Sequence, residues 1–183
     1  MNKQAINRHI SQGFNQALLE IHSNVLAMGG LVEKNIGDAV TALVTGDRQL
    51  GEQAAGADRE VNAMEVAIDN ECSRILARRQ PAASDLRLVV VVIKTITDLE
   101  RIGDEAQKIA RLATNLAEGE RLREPLHDVR LLGDTVRGML RGILDAFARM
   151  DAEAAFATVR LDAEVDQGYN ALLGRLVQYM VKE

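Results

Sequence analysis

Several residue types that mark particular protein classes are scarce or missing in this chain. Its 183 residues include a single cysteine, Cys72, so no intrachain disulfide can form and a reducing compartment fits. Trp is absent, Pro occurs twice and aromatics make up 3%, so any core has to be aliphatic. No stretch approaches the roughly 18–20 apolar residues of a membrane span. The polar start, Met1 to Phe14, lacks the apolar segment of a secretory signal. Basic residues do not dominate: 22 Lys and Arg stand against 27 Asp and Glu, for a net charge of -5. A protein that grips duplex nucleic acid shows a basic footprint, so no nucleic-acid partner is expected. His9, His22 and His127 are scattered at no ligand spacing and read as surface or structural residues. No phosphate-binding Gly-Lys loop, nucleophile elbow or dinucleotide fingerprint is present. These absences predict a cytoplasmic protein that meets a membrane only through protein partners.

What the chain does have is aliphatic residues at helical spacing. After a lead-in over 1–12, Phe14, Leu18, Ile21, Val25, Met28, Val32, Ile36, Val40 and Leu43 recur in steps of three and four, the period of an amphipathic helix. Gly29-Gly30 interrupts it and predicts a kink or a close helix contact. Gly46 ends it, and Asp47 is placed to cap the next helix. That second helix is predicted over 47–79 and stops at Gln80-Pro81, because the residue before Pro avoids the α region. A third follows from a cap at Ser84 or Asp85 to Glu118-Gly119. It opens with the run Leu88-Val89-Val90-Val91-Val92-Ile93, which could be a buried strand. The period continues through Ile96, Leu99, Ile102, Ala106 and Ile109, which favours helix. Beyond a polar linker ending at Pro125, a fourth helix carries Leu132, Val136, Met139 and Ile143. A break at Met150-Asp151 opens a fifth, which runs on to the last residues.

The pattern repeats. Asp38-Ala-Val-Thr-Ala-Leu, Asp47 and Asp58-x-x-Val61-Asn62 are echoed by Asp145-Ala-Phe-Ala-Arg-Met, Asp151 and Asp162-x-x-Val165-Asp166, and Asp58 and Asp162 lie 104 positions apart. The chain therefore divides into a first unit over 13–119 with three helices and a second over 120–183 with two. A helical pair without its third helix leaves an apolar stripe open. Self-association or packing of the two units together is expected to cover it.

The chemistry-bearing stretch is Thr97-Asp98-Leu99-Glu100-Arg101-Ile102-Gly103-Asp104-Glu105. Glu100 and Asp104 share a helix face and repel by a few tenths of a kcal/mol. The second helix offers Asp58, Asn62, Glu65 and Asp69 as a polar stripe, and the repeat offers Asp162 and Asp166. Two facing stripes of oxygen ligands could hold a hard cation such as Mg, Mn or Ca, or a ferric ion, while the all-oxygen set disfavours zinc. The competing reading is a solvated acidic face with Arg101 and Lys108 pairing locally. Cys72 falls on the apolar face and reads as a small core residue. Arg130, Arg137 and Arg141 on one side of the fourth helix form either a partner-facing patch or a solvated face, and the charge pattern favours the solvated face.

Arg78-Arg-Gln-Pro-Ala-Ala-Ser-Asp-Leu-Arg87 followed by Asp98-Leu-Glu-Arg-Ile-Gly-Asp104 resembles the signature of the PhoU family, the phosphate-specific transport system accessory proteins. Met28-Gly-Gly-Leu-Val-Glu33, Met64-Glu-Val-Ala-Ile-Asp69 and Leu144-Asp-Ala-Phe-Ala-Arg-Met-Asp151 resemble it too, and the likeness runs over the whole chain. It implies an all-α fold of two repeated three-helix bundles, the second lacking its last helix. It implies metal pairs at Glu100 and Asp104 and at Asp162 and Asp166, with Asp58 and Glu65 in the first repeat, where Asn62 is a weaker ligand. It implies a regulatory adaptor rather than an enzyme. The adaptor would be a homodimer that restrains phosphate uptake and phosphate-starvation signalling by linking the ATPase of a phosphate ABC transporter to a sensor histidine kinase. The alternative is a carboxylate-bridged, metal-dependent enzyme.

Overall fold

A computed structural model describes residues 3–78, 83–116 and 123–182. They form six helices: α1 (Lys3–Thr45), α2 (Arg48–Arg78), α3 (Ala83–Leu116), α4 (Arg123–Arg149), α5 (Ala152–Val159) and α6 (Asp162–Lys182), with no strand among the described residues. The valine run is helical, as its period predicts. The 1–12 lead-in is not a separate segment, because α1 already starts at Lys3. No Gly or Pro stands between Lys3 and Gly13, so nothing local stops the helix from extending. Likewise α3 begins at Ala83, which places Ser84 and Asp85 inside its first turn rather than at its cap. The stop at Gln80-Pro81 and the end at Glu118-Gly119 lie outside the described residues.

α1, α2 and α3 pack on one another as a three-helix bundle. Its core is the predicted stripe: Ile21, Val25, Met28, Val32 and Ile36 from α1, Val61, Ile68, Cys72 and Ile75 from α2, and Val89, Val92, Ile96, Leu99 and Ala106 from α3. Each fully buried Val or Ile contributes about 1.5–3 kcal/mol of apolar burial. The apolar half of α3 is only partly interior, since Val90 and Val91 are exposed. A helix face about 100° wide cannot bury four consecutive residues.

The repeat is visible in how the helices end. Gly46 (φ 66°) and Met150 (φ 52°) both take the left-handed conformation. The next residue donates back to a carbonyl five positions earlier in both places, Asp47 N–H to Ala42 O at 3.1 Å and Asp151 N–H to Ala146 O at 2.9 Å. Each aspartate then caps the following helix: Asp47 Oδ1 accepts from Leu50 N–H and Asp151 Oδ1 from Ala154 N–H, both at 3.0 Å. Met150 lacks the steric freedom that Gly46 has, so the second turn is strained by about 1–2 kcal/mol.

The predicted fifth helix is divided. α5 ends at Val159, Leu161 N–H donates to Thr158 O at 3.0 Å, and α6 starts at Asp162. Thr158 Oγ1 bonds Ala154 O at 3.0 Å, a back-bond that bends helices, and no Gly or Pro announces the turn. Both pieces pack on α4. α4 in turn carries two faces. One, with Leu140 and Leu144 buried, lies on α1; the other receives Thr158 of α5 at Gly142 and Gly168 of α6 at Leu132. The periodic stripe Leu132, Val136, Met139 and Ile143 is only half-buried, while Phe156, Leu173, Val177 and Met180 on α5 and α6 are exposed.

The α1–α4 contact explains one of the paired glycines. A Cβ on Gly29 would fall 2.3 Å from Leu144 Cδ2, whereas one on Gly30 would meet nothing within 4 Å. α1 is helical through both, and Gly29 is the one that makes the close contact. Gly29→Ala is expected to destabilise the protein by about 1 kcal/mol or more through overpacking. Gly30→Ala should stabilise it by roughly 0.5–1 kcal/mol through helix propensity. Urea denaturation of the two variants checks the pair.

Candidate functional site

The facing stripes of α2 and α3 meet where Gly103 sits. A Cβ there would lie 3.2 Å from Val61 Cγ1 and 3.5 Å from Asp58 Oδ1, so the glycine lets α3 come close to α2 beside that carboxylate. Val61, Leu99 and Ala106 pack beneath. Asp58 is thereby buried to 5% exposure, a poor place for a charge unless it is hydrogen-bonded. Its Oδ2 accepts from Asn62 Nδ2 at 3.1 Å and from Gln107 Nε2 at 3.0 Å. Gln107 Nε2 is shared with Ala55 O at 3.2 Å, which ties α3 to the α2 backbone. Asp58 Oδ1 and Asn62 Oδ1 are buried with no donor.

Glu65, Glu100 and Asp104 are half-buried around this pair. Burial first, then the charge on Asp104, pushes the Asp58 carboxyl above the usual range, against the hydrogen bond from Asn62 and the charge of Arg111. Burial, then Asp104, Glu65 and Asp58, pushes Glu100 up, against Arg101. The local cations do not pair with these acids. Arg101 reaches Asp98 at 4.0 Å and Lys108 binds Glu105 at 2.7 Å. The local pairing of a solvated acidic face is therefore not what Glu100 and Asp104 display.

Asp58, Glu65, Glu100 and Asp104 thus share one seam. Asp162 and Asp166 do not join it: both are exposed at the start of α6, which packs on α4. Two donor-less oxygens beside carboxyls of raised pKa suit a hard cation. Among the described residues, however, no three Asp, Glu, His or Cys side chains are gathered closely enough to hold one metal ion. The seam has the electrostatic demand for a cation without a closed coordination shell.

Gln107 is a residue that the sequence reading passed over. It lies three and seven positions beyond Asp104 and Glu100, on the same face, so helical spacing from the acidic pair points to it. Arg137 and Arg141 are not a free solvated face, because Arg137 stands 3.9 Å from Glu33 of α1 and Arg141 hydrogen-bonds it. His22 stacks on Phe147 with ring centroids 4.7 Å apart, a structural role between α1 and α4. Cys72 is fully buried and its thiol is pushed up to about 11 by burial, with Asp69 and Glu71 adding. A thiol in that state is no nucleophile.

Residues 25–113 and 129–183 match the PhoU domain. A curated relative from Pseudomonas putida, the phosphate-specific transport system accessory protein PhoU homolog, is 51% identical over 183 residues, all of this chain and 72% of its own length. The Escherichia coli K12 protein of that description is 46% identical over 184 residues, covering 100% of this chain and 76% of its own. The crystal structure of PhoU from Pseudomonas aeruginosa superposes with a TM-score of 0.89 at 49% identity, over 93% of this chain and 81% of that one. The phosphate transport system regulatory protein PhoU from Streptococcus pneumoniae gives 0.84 at 32% identity, over 93% and 80%.

The raised carboxyls set a pH dependence. Asp58 and Glu100 hold their protons to higher pH in the fold than in the unfolded chain, so the native state binds more protons between the two pKa values. Their contribution is therefore fully present in acid and is lost as pH rises through the folded pKa. Glu100→Gln removes one repelling charge. It is expected to be more stable than the parent at pH 7 without added metal, by a few tenths of a kcal/mol after solvent screening. The difference should vanish below the ordinary glutamate value of 4.5. Chemical denaturation at the two pH values checks it.

Proposed function

Because the chain belongs to the PhoU family, we propose that it is a regulatory accessory protein of phosphate transport, a cytoplasmic adaptor that restrains uptake and phosphate-starvation signalling. Its partners would be the ATPase of the phosphate transporter and the phosphate-sensing histidine kinase, bridged by the two helical units. The observation that carries this reading is family membership over nearly the whole chain. Phe156, Val159, Leu173, Val177 and Met180 leave apolar area exposed on α5 and α6, the stripe that a third helix of the second unit would cover. A homodimer would cover part of it. No helix among the described residues is long and apolar enough to cross a membrane, so contact with the transporter would run through its cytoplasmic subunit.

A hard metal ion, Mg, Mn, Ca or Fe, would be held by Asp58 and Glu65 on α2 and by Glu100 and Asp104 on α3, and the charge it supplies when bound would cancel their repulsion. Asn62 would offer a neutral oxygen beside Asp58. Asp162 and Asp166 would form a second, partial set. The enzyme reading lacks such support. Asp58 is held by Asn62 and Gln107, so it is not poised as a free base, and Cys72 is enclosed in the core.

The adaptor predicts that the immobilised chain retains both the transporter ATPase and the cytoplasmic region of the kinase from purified mixtures. Retention in Mn²⁺ should exceed retention in chelator. If neither partner is held under either condition, the adaptor reading is wrong. Turnover of phosphoesters that disappears in Asp104→Ala would favour the enzyme instead.

A further inference from the structure

A second feature lies along the same two helices, on a different stretch of their seam. An open groove of about 330 Å³ lies between α2 and α3, lined by Glu52, Gly56 and Arg59 from one helix and Arg111, Thr114 and Asn115 from the other, all exposed but the half-buried Thr114. A Cβ on Gly56 would meet nothing within 4 Å, so the glycine leaves the floor of the groove open. Arg59 and Arg111 have no carboxylate within 4 Å among the described residues. That separates them from the other paired arginines of the molecule. Arg137 and Arg141, which line a groove of similar volume between α1 and α4, face carboxylates: Arg141 hydrogen-bonds Glu33, and Arg137 lies 3.5 Å from Asp134 and 3.9 Å from Glu33. The one acid in the α2–α3 groove, Glu52, is already paired with Arg48 at 3.1 Å.

Two guanidiniums without an ion-pair partner in one groove match the charge of a dianion, and their planar forks suit an oxyanion. The neutral lining narrows the choice. Thr114 Oγ1 donates its hydrogen to Ala110 O at 3.1 Å and lies against Gly51 of α2, so it offers the ligand no donor. The Glu52 carboxylate is an acceptor. A ligand that is anionic yet still carries an O–H satisfies both halves of the site. No aromatic ring lines the groove, so a nucleobase would find nothing to stack on. We propose that this groove binds free hydrogen phosphate, held by Arg59 and Arg111 with its own O–H directed to Glu52. Sulfate has the same shape and charge but no proton to give, so it should bind less well. This site stands independently of the adaptor role, since it rests on the residues of the groove alone.

The test is a titration of the ¹⁵N-labelled full chain with sodium phosphate at pH 7 and constant ionic strength, with sodium sulfate and sodium chloride as parallel arms. Saturable shifts of the Gly56, Thr114 and Asn115 amides with phosphate are expected, with weaker binding of sulfate and no saturation with chloride. Arg59→Gln and Arg111→Gln should each weaken phosphate by about tenfold or more, the worth of a charge-assisted hydrogen bond. Arg160→Gln, an exposed arginine after α5, should leave it unchanged, and all three variants should keep the parent's dispersed spectrum. Shifts that never saturate, sulfate binding as tight as phosphate, or affinity untouched by both groove variants would each overturn the proposal.

Discussion

Burial of the Asp58 carboxylate in the seam between α2 and α3 is the constraint around which the first bundle is built. The close approach at Gly103 takes the carboxylate out of water. Asn62 and Gln107 then have to stand where they do, because an unpaired charge at that depth would cost several kcal/mol. Gln107 reaches both Asp58 and the Ala55 carbonyl, so the polar contact also sets the register of α3 against α2. Asp104, Glu100 and Glu65 crowd the same stretch, and none has a lysine or arginine within ion-pair reach among the described residues. The aliphatic core beneath supplies the stability that lets the fold carry this repulsion.

The second unit is attached through contacts of a different kind. Gly29 admits Leu144, Gly133 admits Val40, and Glu33 binds Arg141, so α4 is held on α1 by small residues, leucine and one ionic cluster. Having given that face to α1, α4 presents its other face to α5 and α6. Both units keep the same device at their first turn, a left-handed residue followed by an aspartate cap, at an offset of 104 positions. What differs is the polar chemistry that follows. Asp58 is buried against a facing helix, whereas its counterpart Asp162 is exposed.

The sequence made the first bundle legible because its signals are local or periodic. The core positions from Ile21 to Ile36 follow from spacing alone, and the Asp47 cap follows from Gly46-Asp47. Places where two helices compete for one surface were not legible. The period of α4 points to Leu132, Val136, Met139 and Ile143, yet Leu140 and Leu144 are the buried pair, because α1 claims the adjacent face. Val90 and Val91, in the middle of the apolar run, lie outside for the complementary reason, that α3 has only two neighbours to bury against. The break before Asp162 had no Gly or Pro to announce it. At the acidic seam, composition and spacing pointed to Asp58, Glu65, Glu100 and Asp104. The hydrogen bonds of Gln107, which decide how Asp58 survives burial, depend on how two helices face each other.

If the carboxylates of this seam are held together against their own repulsion, a hard cation should stabilise the fold by binding there. The direct measurement is the melting temperature of the full chain at pH 7 in chelator and across a Mn²⁺ titration, for the parent and for Asp104→Asn. Binding at a hundredfold over Kd is worth about 2.7 kcal/mol, which for a chain of this size is a rise of roughly 5–10 °C. The account predicts a saturating rise of that order in the parent. In Asp104→Asn the temperature in chelator should be slightly higher and the response to Mn²⁺ largely lost. An unchanged melting temperature in the parent, or an equal rise in the variant, would contradict it.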